Sequence, residues 1–308
     1  MVGQYLDTQW QRIDPSTEKP AEWSCNILWG GNRFAKQTFR TPEMDGCLLS
    51  IPHGNEPFGG DVYHITVCNH GVLSKFLLAD VMGHGKEASG LSEALLEPLA
   101  RLVKELDNTV ILSELNRIIR EQKVFRKFAT AAAATFNAWD GSFTYVYAGH
   151  PPMLIRRNGR WESLEKSDDH ALPVGIINDM RFQQCAVTLQ HGDFLFIYSD
   201  ALTDIIMESG NEEDMIDALI GMMNRIDTDH LETFYTGLVK KLIEINGSTQ
   251  FGDDLTFILL RYHLPQMTTL FSRSLDGVMR GGRKLVMRAI KSWRGLKWDR
   301  GTHCRKDN

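Results

Sequence analysis

Aspartates and glycines recur in five short blocks: Gly59-Gly60-Asp61, Asp80-Val81-Met82-Gly83-His84-Gly85, Ala148-Gly149-His150-Pro151-Pro152, Tyr198-Ser199-Asp200 and Gly252-Asp253-Asp254-Leu255-Thr256. Three of the aspartates adjoin apolar runs: Phe76 to Ala79 leads into Asp80, Phe194 to Tyr198 leads towards Asp200, and Val62 to Cys68 follows Asp61. A carboxylate at the tip of a buried strand is held on stiff backbone at the edge of a core. Several of them, gathered from distant parts of the chain, make an all-oxygen donor set of the kind that suits Mg²⁺ or Mn²⁺. Taken singly, each block reads as easily as a turn, because Asp followed by Gly is a common turn pair. The ordered set carries the inference.

The elements that must position these blocks alternate between strand and helix. Met44 to Pro52, Val62 to Cys68 and Lys75 to Asp80 read as the first strands, separated by turns at His53-Gly54-Asn55 and Asn69-His70-Gly71. From Lys86 to Leu106 the apolar residues fall at helical spacing (Ala88, Leu91, Leu95, Leu99, Leu102), with a kink expected near Pro98. A second helix carries Ile111, Leu115, Ile118 and Ile119 on one face. Strands follow at 128–136, 143–148 and 153–157, the first two joined by a hairpin turn at Asn137 to Gly141. Segments 181–188, 193–199 and 255–262 complete the strands, with helices at about 211–225 and 231–246 between the last two. Residues 1–45 read as a lead-in that packs on the body, 46–263 as the main domain and 264–308 as a tail. No separate sensor domain is expected ahead of the body.

The quoted blocks resemble the metal-dependent serine/threonine phosphatases related to type 2C, in the SpoIIE/RsbU-like bacterial branch. The matching stretches are GGDVYH, LLADVMGHGKEAS, FATAAAATFNAWDGSFTYVYAGHPPMLI, LPVGI, LQHGDFLFIYSDALTD and FGDDLTFILLRY, which together run from Gly59 to Tyr262. The resemblance implies an α+β fold: a four-layer αββα sandwich of two antiparallel sheets flanked by helices, with two divalent cations, Mn²⁺ or Mg²⁺, at one end. Phosphate monoesters hydrolyse very slowly, so such an enzyme needs a strong nucleophile at neutral pH and compensation for phosphoryl charge. A pair of cations ~3.5–4 Å apart supplies both.

By the same resemblance Asp80 bridges the two ions and is the catalytic carboxylate, and the Val81 carbonyl is a further ligand. Asp61 holds one ion, while Asp200 and Asp253 hold the other. Three further groups stay open between two readings. Asp254 either orients water at the site or serves a turn. Gly60 and Gly83, with Gly59 and Gly85, either let backbone bend tightly round the site or are ordinary turn glycines. His84 either protonates the leaving serine oxygen or bonds loop backbone. His150 reads as a structural hydrogen-bonding residue at a strand end.

Three positions depart from the family pattern: His64 where a second acid is usual, Ala201 where Gly usually follows the third aspartate, and Asp204 where Glu is frequent. None removes an expected ligand, although Ala201 would cost about 1 kcal/mol if that position required positive φ.

Composition excludes several classes. With 308 residues, 43% hydrophobic and 24% charged, the chain is an ordinary globular one. Its five cysteines are odd in number and lack CxxC spacing, so neither structural disulfides nor a zinc site is expected, and a reducing cytoplasm is the default compartment. The polar N-terminus lacks an apolar segment typical of secretion. No run approaches the ~20 apolar residues of a membrane span. Residues 1–264 hold 23 Lys/Arg against 36 Asp/Glu, an acidic body that argues against nucleic acid as a partner.

Residues 265–308 reverse the balance, with 11 Lys/Arg against 3 Asp/Glu. Between Lys284 and Lys297 a helical projection separates Leu285, Val286, Ala289, Ile290, Trp293 and Leu296 from Lys284, Arg288, Lys291 and Arg294. That basic amphipathic segment suits a membrane surface, a partner or the acidic body itself. Two functions follow from the resemblance. One is an active phosphatase for a phosphorylated protein, in this branch usually a small anti-sigma-factor antagonist of a partner-switching pathway. The other is a weakly active or inactive scaffold that binds a phosphoprotein.

Overall fold

The computed structural model describes residues 20–22, 27–68, 72–83, 85–102, 105–121, 128–164, 172–207, 215–226, 228–264 and 303–304. Its strands are β1 (Ala21–Glu22), β2 (Ile27–Gly31), β3 (Ala35–Arg40), β4 (Met44–Ile51), β5 (Asp61–Cys68), β6 (Leu73–Val81), β7 (Ala129–Asn137), β8 (Ser142–Ala148), β9 (Leu154–Arg157), β10 (Arg160–Ser163), β11 (Cys185–Thr188), β12 (Phe194–Tyr198), β13 (Leu255–Tyr262) and β14 (His303–Cys304). The helices are α1 (Lys86–Arg101), α2 (Asn108–Glu121), α3 (Ala201–Met207), α4 (Met215–Met223) and α5 (Leu231–Asn246).

One sheet runs β1-β3-β4-β13-β12-β9-β10 and the other β14-β11-β8-β7-β6-β5-β2. All strand pairs are antiparallel except the short β1–β3 edge. The expected α+β sandwich is therefore present. Residues 27–40, which the sequence places in the lead-in, contribute β2 to one sheet and β3 to the other.

Burial on both faces explains why the central strands are almost unbroken apolar runs rather than alternating ones. Along β13, Ile258, Leu260 and Tyr262 enter the layer between the sheets, while Leu255, Phe257 and Leu259 meet the helices outside. Along β6, Phe76 and Leu78 point between the sheets, and Leu77, Ala79 and Val81 point towards α1 and α2. The apolar faces of α1 (Leu91, Leu95, Leu99) and α2 (Ile111, Leu115, Ile119) cover one sheet. Leu231, Phe234, Leu238 and Leu242 of α5 cover the other. Each such side chain, fully buried, contributes about 2–3 kcal/mol before chain entropy is counted. Asp107 accepts from the amide of Thr109 at 2.9 Å and caps α2, and Gly247 ends α5 at φ +67°.

The differences from the sequence-based expectations have local causes. Helix α1 ends at Arg101 instead of continuing to Leu106, one turn past Pro98, whose ring removes a helical donor. The ladder of β11 begins at Cys185 rather than Arg181, and α4 ends at Met223 rather than Arg225, while residues 211–214 of that expected helix lie outside the described residues. Strand β10 buries Trp161 but exposes the other three of its residues, so it has too little alternation to be seen. Helix α3 is seven residues, too short for a helical period. The expected lack of disulfides is also corrected: Cys185 is disulfide-bonded, and the β11–β14 register sets it opposite Cys304. A strand register that sets positions 119 apart side by side leaves no local spacing to read.

Candidate metal centre

The four expected ligand aspartates converge on one end of the sandwich from two sheets. Asp61 opens β5 and Asp80 stands directly across from it near the end of β6. In the opposing sheet, β12 pairs with β13 from Phe194–Arg261 to Tyr198–Phe257. Asp200 just after β12 and Asp253 just before β13 therefore leave that sheet at the same end. Alternation fixes the direction of these side chains. Tyr63 and Ile65, in phase with Asp61, line the layer between the sheets, as do Phe76 and Leu78, in phase with Asp80. His64 is out of phase with Asp61, so the position where the family usually has a second acid faces α1 and α2. There it lines a cavity of about 20 Å³ with Thr66, Lys75 and Asn108.

Asp254 ties the two halves of this end together. Its Oδ2 accepts the Gly60 amide at 2.6 Å and its Oδ1 accepts the His53 amide at 2.7 Å. This close embrace explains the paired glycines: a Cβ on Gly59 would lie 2.6 Å from Asp254 Oδ1, and one on Gly60 3.0 Å from the Val81 carbonyl oxygen. Ser199 supports the loop from below, donating to the Asp254 carbonyl at 3.1 Å and accepting the Thr256 amide at 2.9 Å. Asp253 Oδ1 accepts the next amide, that of Asp254, at 2.8 Å. Gly83 adopts φ +86°, and Gly85 adopts φ +76° just before α1. His84 lies outside the described residues. Ala201 is absent from the positive-φ positions and sits buried at the start of α3, so the strain considered for it does not arise.

The electrostatics of this end are one-sided. Asp61 is 2% exposed and neither of its carboxylate oxygens has a hydrogen-bond partner. Burial first, and then Asp80 and Asp254, push its carboxyl well above the usual range, against a weaker opposing pull from the nearby Thr256 and Ser199 hydroxyls, which bond elsewhere, to Ser50 and the Asp254 carbonyl. Asp80 is likewise raised by burial and then by Asp200, with which it is placed to share a proton. Burial and Asp253 raise Asp200 too. Buried carboxylates that raise one another want a compensating cation, and orphaned oxygens on Asp61 are the donors such an ion would take up. The donor set thus fits a hard divalent cation. Among the described residues, no three Asp, Glu, His or Cys side chains already close into a cage.

Sequence reasoning passed over three neighbours of this end. Asn32, buried in the β2–β3 turn, receives the Gly59 amide on its carbonyl at 2.6 Å, and its side chain donates to Ser92 Oγ of α1 at 2.8 Å. Ser92 in turn donates to the Gly59 carbonyl at 2.6 Å. Arg33, the next residue, lays its guanidinium 4.4 Å over the Phe58 ring, just ahead of Gly59. A polar residue in a glycine turn (Gly30-Gly31-Asn32) was the available signal for Asn32. Ser92 had none beyond being a polar residue on an apolar helix face. His150 is buried, with Nδ1 3.0 Å from the Pro151 carbonyl, in keeping with a structural role.

Comparison with known proteins supplies the context. Residues 74–263 match the family model described as Stage II sporulation protein E (SpoIIE), well over half of the chain. That match includes Asp80, Asp200 and Asp253 and starts after Asp61. Over 223 residues the chain is 26% identical to phosphoserine phosphatase RsbU of Bacillus subtilis (strain 168), covering 71% of this chain and 63% of the relative. Among solved structures, the RsbU and RsbW domains of Rv1364c from Mycobacterium tuberculosis superpose with a TM-score of 0.62 at 21% identity, over 80% of this chain and 64% of that one. RsbX, solved in complex with magnesium, gives a TM-score of 0.53 at 18% identity, over 74% of this chain and 100% of that one. The chain spans less than two thirds of the length of the curated relatives it matches.

Proposed function

This chain belongs to the SpoIIE family, and from that premise we propose that it is a metal-dependent protein serine/threonine phosphatase acting on a phosphorylated protein. The observation that carries the reading is Asp61, a buried carboxylate with two orphaned oxygens, set across a ladder from Asp80 and close to the end where Asp200 and Asp253 leave the other sheet. Asp61, Asp80, the Val81 carbonyl, Asp200 and Asp253 would hold two divalent cations. The RsbX structure with magnesium is consistent with that choice of metal. Once bound, the cations would supply an activated water and neutralise phosphoryl charge.

The protein's own residues do the rest. Asp254 ties the Gly59–Gly60 loop to the turn at His53, accepting the Gly60 and His53 amides, and so fixes the backbone that leads into Asp61. The backbone around Gly60 comes close to the site because no Cβ intervenes. Arg33, held over Phe58 one residue ahead of Gly59, would be a candidate guanidinium for an incoming phosphate. His84 remains a proposal for protonating the leaving oxygen. By analogy with RsbU, and with the RsbW partner domain named beside it in the mycobacterial structure, the substrate class is a phosphorylated regulator in a partner-switching pathway, such as an anti-sigma-factor antagonist. The amphipathic segment of the basic tail, Lys284 to Lys297, lies outside the described residues and is proposed to bring the acidic body to a membrane surface or a partner. Among the described residues no helix is long and apolar enough to cross a membrane.

The direct test is hydrolysis of p-nitrophenyl phosphate and of a phosphoserine peptide with Mn²⁺, with Mg²⁺ and with EDTA. Turnover should vanish in EDTA and return with either metal. Full turnover in EDTA would overturn the metal reading. Tight phosphopeptide binding without turnover under any metal would make the protein a scaffold.

A further inference from the structure

Strand β7 carries two threonines, and they are treated differently. Thr135 donates to Asn108 Oδ1 at 2.9 Å, and its carbonyl accepts the Thr144 hydroxyl at 3.3 Å. The Thr130 hydroxyl is buried without a hydrogen-bond partner. A buried hydroxyl left unmade costs about 1–3 kcal/mol, so it calls for a reason.

Its place on the ladder gives one. The antiparallel register sets Asp61 across from Asp80, and Asp80 across from Thr130. Three neighbouring strands thus present acid, acid and hydroxyl on a single rung. Ala132 and Ala134, in phase with Thr130, lie in the layer between the sheets, whereas Ala129 and Ala131 pack under the helices. Thr130 therefore shares the face of the two carboxylates, with Cβ atoms of directly opposed residues about 4.5–5.5 Å apart. Other buried hydroxyls without partners, such as Thr66 and Ser74, lie elsewhere, on rungs without a carboxylate of the cluster.

Every titratable side chain of the cluster is an acceptor once ionised. Water taken up there with a cation needs acceptors for its protons, which the carboxylates provide, and it can also accept a bond, which they cannot donate. We infer that Thr130 is a positioning residue of the carboxylate cluster, its hydroxyl donating to a water taken up beside Asp80 with the divalent cation. The inference rests on the metal-dependent reading above. It assigns to the chain a donor that neither the acidic blocks nor the family resemblance singled out.

The test compares Thr130→Val, which keeps the shape and loses the donor, with Thr130→Ser, which keeps the donor. Mn²⁺ binding is measured by calorimetry and by the loss of the free-ion EPR signal, and melting temperature is measured in EDTA. Thr130→Val should weaken Mn²⁺ binding by about 10-fold, the lower end of what outer hydrogen bonds to metal sites contribute, while melting in EDTA stays level or rises. Thr130→Ser should bind within about twofold of the parent, a difference small beside that range. Parental Mn²⁺ affinity in Thr130→Val overturns the inference, as does equal weakening in Thr130→Ser, which would mean that the methyl group matters. A parent protein that takes up no Mn²⁺ overturns the metal reading and this inference with it.

Discussion

Strand β12 begins next to one buried aspartate and runs towards the end where another is buried, and the two are served in opposite ways. Asp193, 3% exposed, receives Arg157 Nε at 3.2 and 3.1 Å on its two oxygens, and the Gln190 amide at 2.8 Å. Asp61 is buried as deeply and accepts no hydrogen bond, feeling only a weak pull from the Thr256 and Ser199 hydroxyls. A carboxylate desolvated and fully bonded serves the fold. One desolvated without hydrogen bonds costs stability and is chemically suited to hold a cation. The sandwich therefore separates its two tasks along the length of its strands, with rigidity at the Asp193 end and capacity for charge at the Asp61 end.

The sharpest way to break that division is Asp80→Asn, since Asp200, Asp253 and Asp254 all act on the Asp80 carboxyl. Activity should fall by more than the ~100-fold that outer contacts of a metal site are worth, with an unchanged circular dichroism spectrum. Asp254→Asn should fall less, because Asp254 is occupied by backbone amides. At the other end, Arg157→Ala strands a buried charge and should cost about 3–5 kcal/mol of stability, read by urea denaturation, with normal turnover per folded molecule. The converse substitution, Asp61→Asn, should stabilise the protein in EDTA by about 1–3 kcal/mol while abolishing Mn²⁺ uptake. Loss of stability in EDTA would mean that Asp61 is part of the scaffold after all.

The smallest effect concerns the third polar interior, beneath α1 and α2. Burial, and then Lys75, lower the His64 pKa from 6.5 to about 4. The unfolded chain binds that proton below pH 6.5 and the native state does not. Stability is therefore full above pH 6.5 and is lost as pH falls towards 4, by about 1 kcal/mol per pH unit. His64→Leu should flatten this slope in thermal melts at pH 5 and 6. An unaltered slope would place the acid sensitivity elsewhere.

Much of this was legible in the sequence because it is written locally. The runs ending at Asp80 and Asp200 fix strand tips, and the spacing of Leu91, Leu95 and Leu99 fixes a helix face. The hairpin at Asn137 to Gly141 announces itself by composition, and Gly141 does adopt φ +70°. What stayed hidden depends on register between strands. Nothing near Thr130 says that it shares a rung with Asp80, and nothing near Cys185 says that it faces Cys304. The roles of His64 and Asp61 differ only by strand phase, which follows from which sheet face is covered by helices. The β2–β3 turn also escaped, because Asn32 acts on Gly59 and Ser92 across sequence distances that no periodicity spans.

The order of strands in the first sheet has a consequence for how the protein comes into being. β13 lies between β4 and β12, yet it is synthesised after both and after β1, β3, β9 and β10. On the ribosome, β4 and β12 must wait as unpaired edges, and the sheet closes only when residues 255–262 emerge and insert between them. Asp253 and Asp254 arrive with that last strand. The nascent chain thus cannot anchor its Gly60 loop, or assemble its acidic end, until the final structural piece of its sheet is in place.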